Sequence, residues 1–508
     1  MIYSFSPFGY EGSLVAVEVD LRRGIPATDI VGLADGAIKE SRERMISAIR
    51  NSGLEYPNER VLISLSPAEL KKEGAGFDLP IALAVMSAKE DYPRSQDAKV
   101  LVMGELELSG KVRSVRGVYP ALTYAQSVGI KYAIVPKGGE KIYPQGIKVI
   151  EVEDLNEALR VLSGIDEYEV EGDGEYDEEW FGTKPEDNKL KVEFTDVPKE
   201  NSLDSIKGMN GLKFAMSVAV AGRHNLLVWG KSGCGKTMVL QRMPEIMPKL
   251  LPDEQKITTR IWSLAGLLKG KEGYLTTRPF RMPHQTASIE GLCGGGINCR
   301  AGEISLAHNG VLFLDEAPEF RSSVLQMLRV PLESHQITLC RAGRSTTFPA
   351  HFQLVMSAIP CPCGNYGSKD KVCLCSLKSL ELYWKKFSAP LLDIVGIRFD
   401  CNQEDVWKEV TVEEMREMIK RAWETQYTRQ GKLNEDLTSQ EVDNLKIDPE
   451  AIDALEKANS HFCYSPRAVT RLIKIARTYA DMIGYETITE NAMEMAISLR
   501  DRIEVINV

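Results

Sequence analysis

Residues 230–237 of this 508-residue chain read GKSGCGKT, a fit to the P-loop pattern G-x-x-x-x-G-K-[ST]. The apolar run Asn225-Leu226-Leu227-Val228-Trp229 directly before it reads as a buried strand, and residues 238–247 carry helical spacing up to Pro248. Strand, loop and helix in that order are the context the motif needs. Gly230, Gly233 and Gly235 let the backbone wrap a phosphate, so that successive N–H groups and a helix N-terminus face its oxygens. Gly230, Lys231, Ser232, Gly233, Cys234, Gly235, Lys236 and Thr237 are therefore the candidate nucleotide-binding residues. Lys236 is expected to reach the β- and γ-phosphates and the Thr237 hydroxyl to hold Mg²⁺, which makes ATP and Mg²⁺ the expected cofactors.

A second run, Gly310-Val311-Leu312-Phe313-Leu314-Asp315-Glu316, describes a buried strand whose tip carries two carboxylates. Beside a P-loop, Asp315 is expected to complete the Mg²⁺ site through Thr237, and Glu316 to polarise a lytic water. A further strand-like run, 352–357, alternates with helical segments in the same region. That alternation implies a parallel sheet with helices on both faces over 192–402. Residues 403–508 read as almost wholly helical, a lid, with the polar stretch 431–446 expected to be a loop. Residues 1–165 mix alternating and helical patterns and read as an α+β domain.

The formal net charge of −10 matters only once it is located. Residues 166–187 hold eleven acidic residues and one Lys, so this segment accounts for the whole net charge. With its glycines and Pro185 it reads as a linker spanning 166–191, a solvated hinge or a nucleic-acid-mimicking or partner-docking tail. The remainder is close to neutral, which leaves room for a basic channel. No run of eighteen apolar residues occurs and the start lacks a basic n-region and an apolar h-region. A cytoplasmic protein without membrane contact is expected. Of ten cysteines, Cys361, Cys363, Cys373 and Cys375 form two C-x-C pairs nine residues apart. Four thiolates suit one tetrahedral Zn²⁺; buried unligated thiols and a redox pair are the alternatives.

The stretches GLADGAIKESRERMISAIRNSG, GAGFDLPIALAV and GELELSGKVRSVRGVYPAL, and the block from Arg278 to Phe320, resemble the YifB/ComM family of magnesium-chelatase-like AAA+ proteins. The resemblance covers nearly the whole chain. It implies a Lon-protease-like (S5-like) N-terminal domain, a P-loop AAA+ core and a helical lid. The Lon nucleophile and base would fall at Gly76–Asp78 and near Tyr119, where no Ser or Lys stands, so the domain is expected to be non-proteolytic. The family implies a ring, with six members expected, that acts on DNA and hydrolyses ATP between subunits. By resemblance Gly294–Gly296 and Arg300 face the pore, and Arg341 and Arg344 lie on a hairpin, 336–348, turning at Ala342-Gly343. The hairpin arginines could touch a phosphate backbone or form a solvated tip.

By resemblance, Arg467 is a second sensor expected to reach back to the γ-phosphate, with Arg471 as fallback. Two positions depart from the family. Ile359 stands where the first sensor Asn belongs, and an aliphatic side chain cannot make that hydrogen bond. Ile394 replaces the arginine finger, with Arg398 the nearest substitute, and such a finger is worth about 10³–10⁵ in rate. Gln285 and His351 also stand where the family has His and Arg. Two readings follow: an ATP-driven DNA motor of the branch-migration type, or a nucleotide-dependent scaffold with poor turnover. A true chelatase subunit is disfavoured by the Lon-like domain, and a protease by the missing Ser and Lys.

Overall fold

The computed structural model describes residues 1–32, 36–68, 72, 75–89, 98–168, 190–197, 200, 202–268, 270–341, 344–366, 372–402 and 407–500. Most of the acidic linker and the hairpin turn at Ala342-Gly343 lie outside these described residues.

The amino-terminal part forms a seven-stranded mixed sheet in the order Ala27–Val31, Arg60–Ser66, Glu11–Arg22, Ile2–Phe8, Val100–Val102, Tyr132–Pro136, Lys148–Val152. Glu11–Arg22 runs antiparallel to both its neighbours, and from Ile2–Phe8 onward the remaining pairs are parallel. Side chains alternate between two cores because the strand period is two. Ile134 enters the core under helices Gly36–Asn51, Asp78–Ser87 and Leu155–Ser163, while Ala133 and Val135 meet helix Val118–Ser127 on the other face. Where a Lon nucleophile would stand, Asp78 is fully buried and accepts hydrogen bonds from Arg44 Nε at 2.9 Å and from Ser41. Tyr119, near the expected base position, meets Tyr274 edge-on, with ring centroids 5.6 Å apart. Both positions are occupied by packing groups rather than by a nucleophile and its base.

The P-loop sheet has five parallel strands in the order Phe280–Arg281, Val311–Leu314, Gln353–Ala358, Leu226–Trp229, Ile397–Asp400. The three central strands are buried on both faces, as a covered parallel sheet demands. Val311 and Phe313 point into one core and Leu312 and Leu314 into the other. The expected α/β class therefore holds, and the carboxyl ends of the three central strands gather the candidate site.

The carboxy-terminal helices, Val412–Gln430, Pro449–Phe462, Pro466–Ile483 and Glu490–Ser498, share one core with that sheet through helix Asn210–Gly222. Trp423 Nε1 donates to the Val220 carbonyl at 3.2 Å and Gln426 Nε2 to the Ala221 carbonyl at 2.9 Å. The 431–446 stretch is not the loop its polarity suggests. It holds a 3₁₀ turn, Asn434–Asp436, and a short helix, Ser439–Asp443, started by a Thr438/Glu441 capping box. Its polar residues serve buried partners: Asn434 Nδ2 donates to Thr478 Oγ1 and to Asp481 Oδ2, both at 3.0 Å. Among the described residues no helix is long and apolar enough to cross a membrane.

Candidate functional site

The loop after Leu226–Trp229 turns through two left-handed glycines, Gly233 at φ 77° and Gly235 at φ 97°, and enters helix Lys236–Leu240. Gly230 is required for a different reason. A Cβ there would lie 2.9 Å from the Cβ of Cys401, on the chain leaving the neighbouring strand. The first helix is shorter than its sequence pattern suggests, since a 3₁₀ turn with Pro244 follows at Met243–Ile246. Lys236 is buried, and its ammonium donates to the carbonyls of Gly230 at 2.7 Å and Lys231 at 2.8 Å.

Thr237 Oγ1 donates to Asp315 Oδ1 at 2.9 Å, so the hydroxyl and the carboxylate expected to share Mg²⁺ are adjacent. Ser357 completes this group. Its hydroxyl donates to Asp315 Oδ1 at 2.5 Å and accepts from the Glu316 backbone N–H at 2.8 Å. Strand register explains the contact: Leu314 is paired with Met356, which sets Asp315 beside Ser357. Glu316 itself holds a left-handed φ of 49°, costly for a non-glycine residue and characteristic of functional turns. Its carboxylate accepts from Gln285 Nε2 at 2.7 Å, so one of the positions that departs from the family pattern is in direct contact with the candidate base. A cavity of about 260 Å³ opens here, lined by Lys236, Thr237, Glu316, Ser357 and Ile359 among others. Ile359 thus faces the cavity with no hydrogen-bonding group. Ser357 went unnoticed in the sequence because its role comes from strand pairing alone.

The four clustered cysteines converge beside this loop. Cys361, Cys363, Cys373 and Cys375 offer sulfurs all within 4.8 Å of one another. Cys361–Cys363 is 3.3 Å, Cys363–Cys373 3.6 Å and Cys361–Cys373 3.7 Å. A tetrahedron with Zn–S bonds of about 2.3 Å has edges of about 3.8 Å, so the donor set fits one Zn²⁺. The Asn365 backbone N–H holds the Cys363 thiol down to about 6, whereas burial pushes Cys361 up and Cys373 and Cys375 are raised as well. A Cβ on Gly364 would sit 3.5 Å from the Cβ of Ser232, which brings the cluster against the phosphate loop.

Other expected residues are not brought to this cavity. Arg467 makes an ion pair with Glu333 at 3.4 Å and lines a second cavity of about 340 Å³ with Arg471, Ile394 and His351. Arg223 and Asn225, which precede Leu226–Trp229, and Phe352, which precedes Gln353–Ala358, also line it. This is the amino edge of the parallel sheet, at least a strand of about 13 Å away from the phosphate loop. The expectation that Arg467 reaches its own chain's γ-phosphate is therefore corrected. Helix Pro466–Ile483 is held there by His224 Nε2 and Thr478 Oγ1, 2.8 Å apart. Arg471 is paired with Glu435, and Arg398 donates to the Leu392 carbonyl at 2.7 Å, so neither replaces a sensor or finger within the chain. His351 is engaged with Asp436 at 2.9 Å.

Arg300 is exposed on a short antiparallel pair with Gly295, and Arg341 is exposed on the hairpin Gln336–Arg341/Arg344–Pro349. Arg344 is no free hairpin tip: its guanidinium lies 3.6 Å from the ring centroid of Phe8. Tyr10 extends the same seam, its backbone N–H donating to Thr346 Oγ1 at 3.1 Å.

A P-loop closed by an acidic strand tip, on a five-stranded parallel sheet with carboxy-terminal helices, is the architecture of a protein of the AAA+ class. Family comparison gives the same class. "Magnesium chelatase, subunit ChlI" matches residues 202–408, "Subunit ChlI of Mg-chelatase" residues 17–139, and the ChlI C-terminal family residues 409–500. The chain is 33% identical to competence protein ComM of Haemophilus influenzae, covering 100% of this chain and 98% of that protein. It is 34% identical to the uncharacterised protein YifB of Escherichia coli, over 98% and 96% of the two chains. The chain belongs to the YifB/ComM family of magnesium-chelatase-like AAA+ proteins. A separate 30% identity over 115 residues to an archaeal Lon protease of Methanocaldococcus jannaschii, 22% of this chain and 17% of that one, fits the Lon-like amino-terminal fold.

Proposed function

We propose that this protein is an ATP- and Mg²⁺-dependent motor that forms a ring, a hexamer, and remodels branched DNA in the cytoplasm. The observation that carries the reading is the contact set Thr237–Asp315–Ser357–Glu316–Gln285 around the P-loop cavity. In it Lys236 would neutralise the β- and γ-phosphates, Thr237 and Asp315 would hold Mg²⁺, and Glu316 would orient the attacking water. The metal would supply charge neutralisation. The proposed divisions are 1–165 Lon-like, 166–191 linker, 192–402 nucleotide domain and 403–508 lid.

The amino-edge position of Arg467 and Arg471 supports assembly, because cations so far from their own P-loop can act on nucleotide only in a neighbouring subunit. Arg300 and Arg341 are exposed and available to a phosphate backbone, and the Haemophilus relative's name as a competence protein favours DNA as the partner. Cys361, Cys363, Cys373 and Cys375 would hold a structural Zn²⁺ next to the loop. The second reading, a scaffold that binds ATP but turns it over slowly, is favoured by Ile359 in the cavity and Ile394 at the finger position.

Steady-state ATP hydrolysis with and without single-stranded and branched DNA separates the two. The motor requires DNA-stimulated turnover that Glu316→Gln abolishes while nucleotide binding survives. Tight binding with negligible turnover under every condition would replace the motor with the scaffold.

A further inference from the structure

The fifth residue of the phosphate loop is Cys234, and it has a thiol partner. Strands Leu226–Trp229 and Ile397–Asp400 are paired in parallel with Trp229 opposite Asp400, so the next residues, Gly230 and Cys401, are neighbours. The Cys401 backbone N–H donates to the Trp229 carbonyl at 2.8 Å, which fastens Cys401 to the sheet. Above Gly230 the two side chains meet. A Cβ on that glycine would lie 2.9 Å from the Cβ of Cys401 and 3.5 Å from the Sγ of Cys234. Lys236 Nζ stands 3.6 Å from the Cys234 sulfur. Neither cysteine belongs to the four-thiol cluster.

The pair has an electrostatic polarity as well as proximity. Cys401, with Lys236 nearby, holds the Cys234 thiol down to about 6 against its burial, whereas Cys401 is pushed far up by Cys234 and by burial. One sulfur, in a partly exposed loop, is thus biased toward the thiolate and its neighbour toward the thiol. That is the arrangement of an attacking and a resolving cysteine.

We propose that Cys234 and Cys401 are a hydroperoxide-oxidised pair whose disulfide closes the phosphate loop to nucleotide. The Cys234 thiolate attacks one oxygen of the hydroperoxide, the O–O bond breaks, and the departing oxyanion takes up a proton. Cys401 then attacks the resulting sulfenic sulfur, forming the S–S bond. Hydroxide leaves, takes the Cys401 proton and departs as water. Two thiol sulfurs lose two electrons and the O–O bond gains them. The new bond ties the loop to an edge strand of the sheet at Cys401. The loop N–H groups and Lys236 must rearrange about a phosphate, and a loop tethered at its fifth residue cannot do so. This gating rests on the nucleotide reading of the P-loop; the oxidation site does not.

The test exposes the full-length protein to graded hydrogen peroxide, with and without ATP and Mg²⁺, and then alkylates the remaining thiols with iodoacetamide. Peptide mapping locates the products, and a fluorescent ATP analogue reports binding. A peptide linked through Cys234 and Cys401 is expected, with at least a tenfold loss of analogue affinity, restored by dithiothreitol and slowed by prior ATP. Cys401→Ser should bind the analogue like the wild type before oxidation and yield no linked peptide. Full alkylation of both cysteines at peroxide levels that oxidise Cys361–Cys375 overturns the proposal, as does a linked protein with unchanged affinity. A linked peptide in a protein that binds no analogue even when reduced sinks the nucleotide reading and the gate, and leaves the oxidation site standing.

Discussion

Replacing Ser357 by Ala removes one oxygen and two hydrogen bonds, at a residue that is only 1% exposed. One bond is to a carboxylate, Asp315 Oδ1 at 2.5 Å; the other satisfies the Glu316 N–H at 2.8 Å. A hydrogen bond to a charged group nets about 1.5–3 kcal/mol, and a buried donor left unpaired costs about 1–3 kcal/mol. Part of this is recovered if Asp315 turns fully toward Thr237, so a loss of about 2 kcal/mol is a central expectation. At about 1.4 kcal/mol per decade this is roughly 30-fold, divided between Mg²⁺-dependent nucleotide affinity and turnover. The loss falls on function because the left-handed Glu316 depends on Ser357 for its backbone partner. Calorimetric titration with nucleotide at graded Mg²⁺, alongside steady-state hydrolysis, measures both. Ser357→Thr keeps the hydroxyl and should recover most of the effect. If Ser357→Ala stays within twofold of the wild type in both assays, the residue is a bystander and the reasoning fails.

Three further outcomes are expected. Protein purified with zinc should carry about one Zn²⁺ per chain, read by chelator-induced release with a colorimetric indicator, and Cys363→Ser should lose most of it; equal metal in the variant would reject the cluster as the site. Gly9→Ala places a Cβ 2.2 Å from Thr346 at a φ of +60°, so it should lower the thermal midpoint more than Gly53→Ala, where φ is +76° and nothing lies within 4 Å; equal effects would mean that the seam between the amino-terminal sheet and the hairpin contributes no stability. Burial opposes the charge of Glu435, yet Arg471 and the His224 hydrogen bond hold its carboxyl down to about 2, below its ordinary 4.5. Its folded value is thus below its unfolded one, so its contribution is complete above about pH 4.5 and is lost as pH falls toward 2. Arg471→Ala should raise the acid-unfolding midpoint in a circular-dichroism titration, and an unmoved midpoint would discount the pair.

How far the sequence could be read depended on how local each constraint is. The P-loop, its preceding strand and the acidic tip at Asp315 and Glu316 were legible because each is a contiguous run whose chemistry and backbone demands coincide. The parallel sheet followed from alternation, and the central strands are as buried as their apolar runs require. Strand Ile2–Phe8 is hard to read from sequence because its centre carries Ser4 and Ser6, both buried, beside Pro7, which blurs the alternating pattern. Strand Ala27–Val31 is equally hard to read, being an edge strand with no buried residue. Ser357 and the Cys234–Cys401 contact depend on which strands are neighbours and in what register, a choice made by the whole sheet. The misplaced residues make the same point with opposite sign. Arg467 opens a helix just as its motif suggests, but the helix is positioned by Thr478, three turns on, against His224 and Asn434. Arg344 lies on the expected hairpin, yet its guanidinium is covered by Phe8, which enters from the other end of the sequence. A motif therefore identifies the chemistry a residue can perform, while long-range packing decides which site receives it.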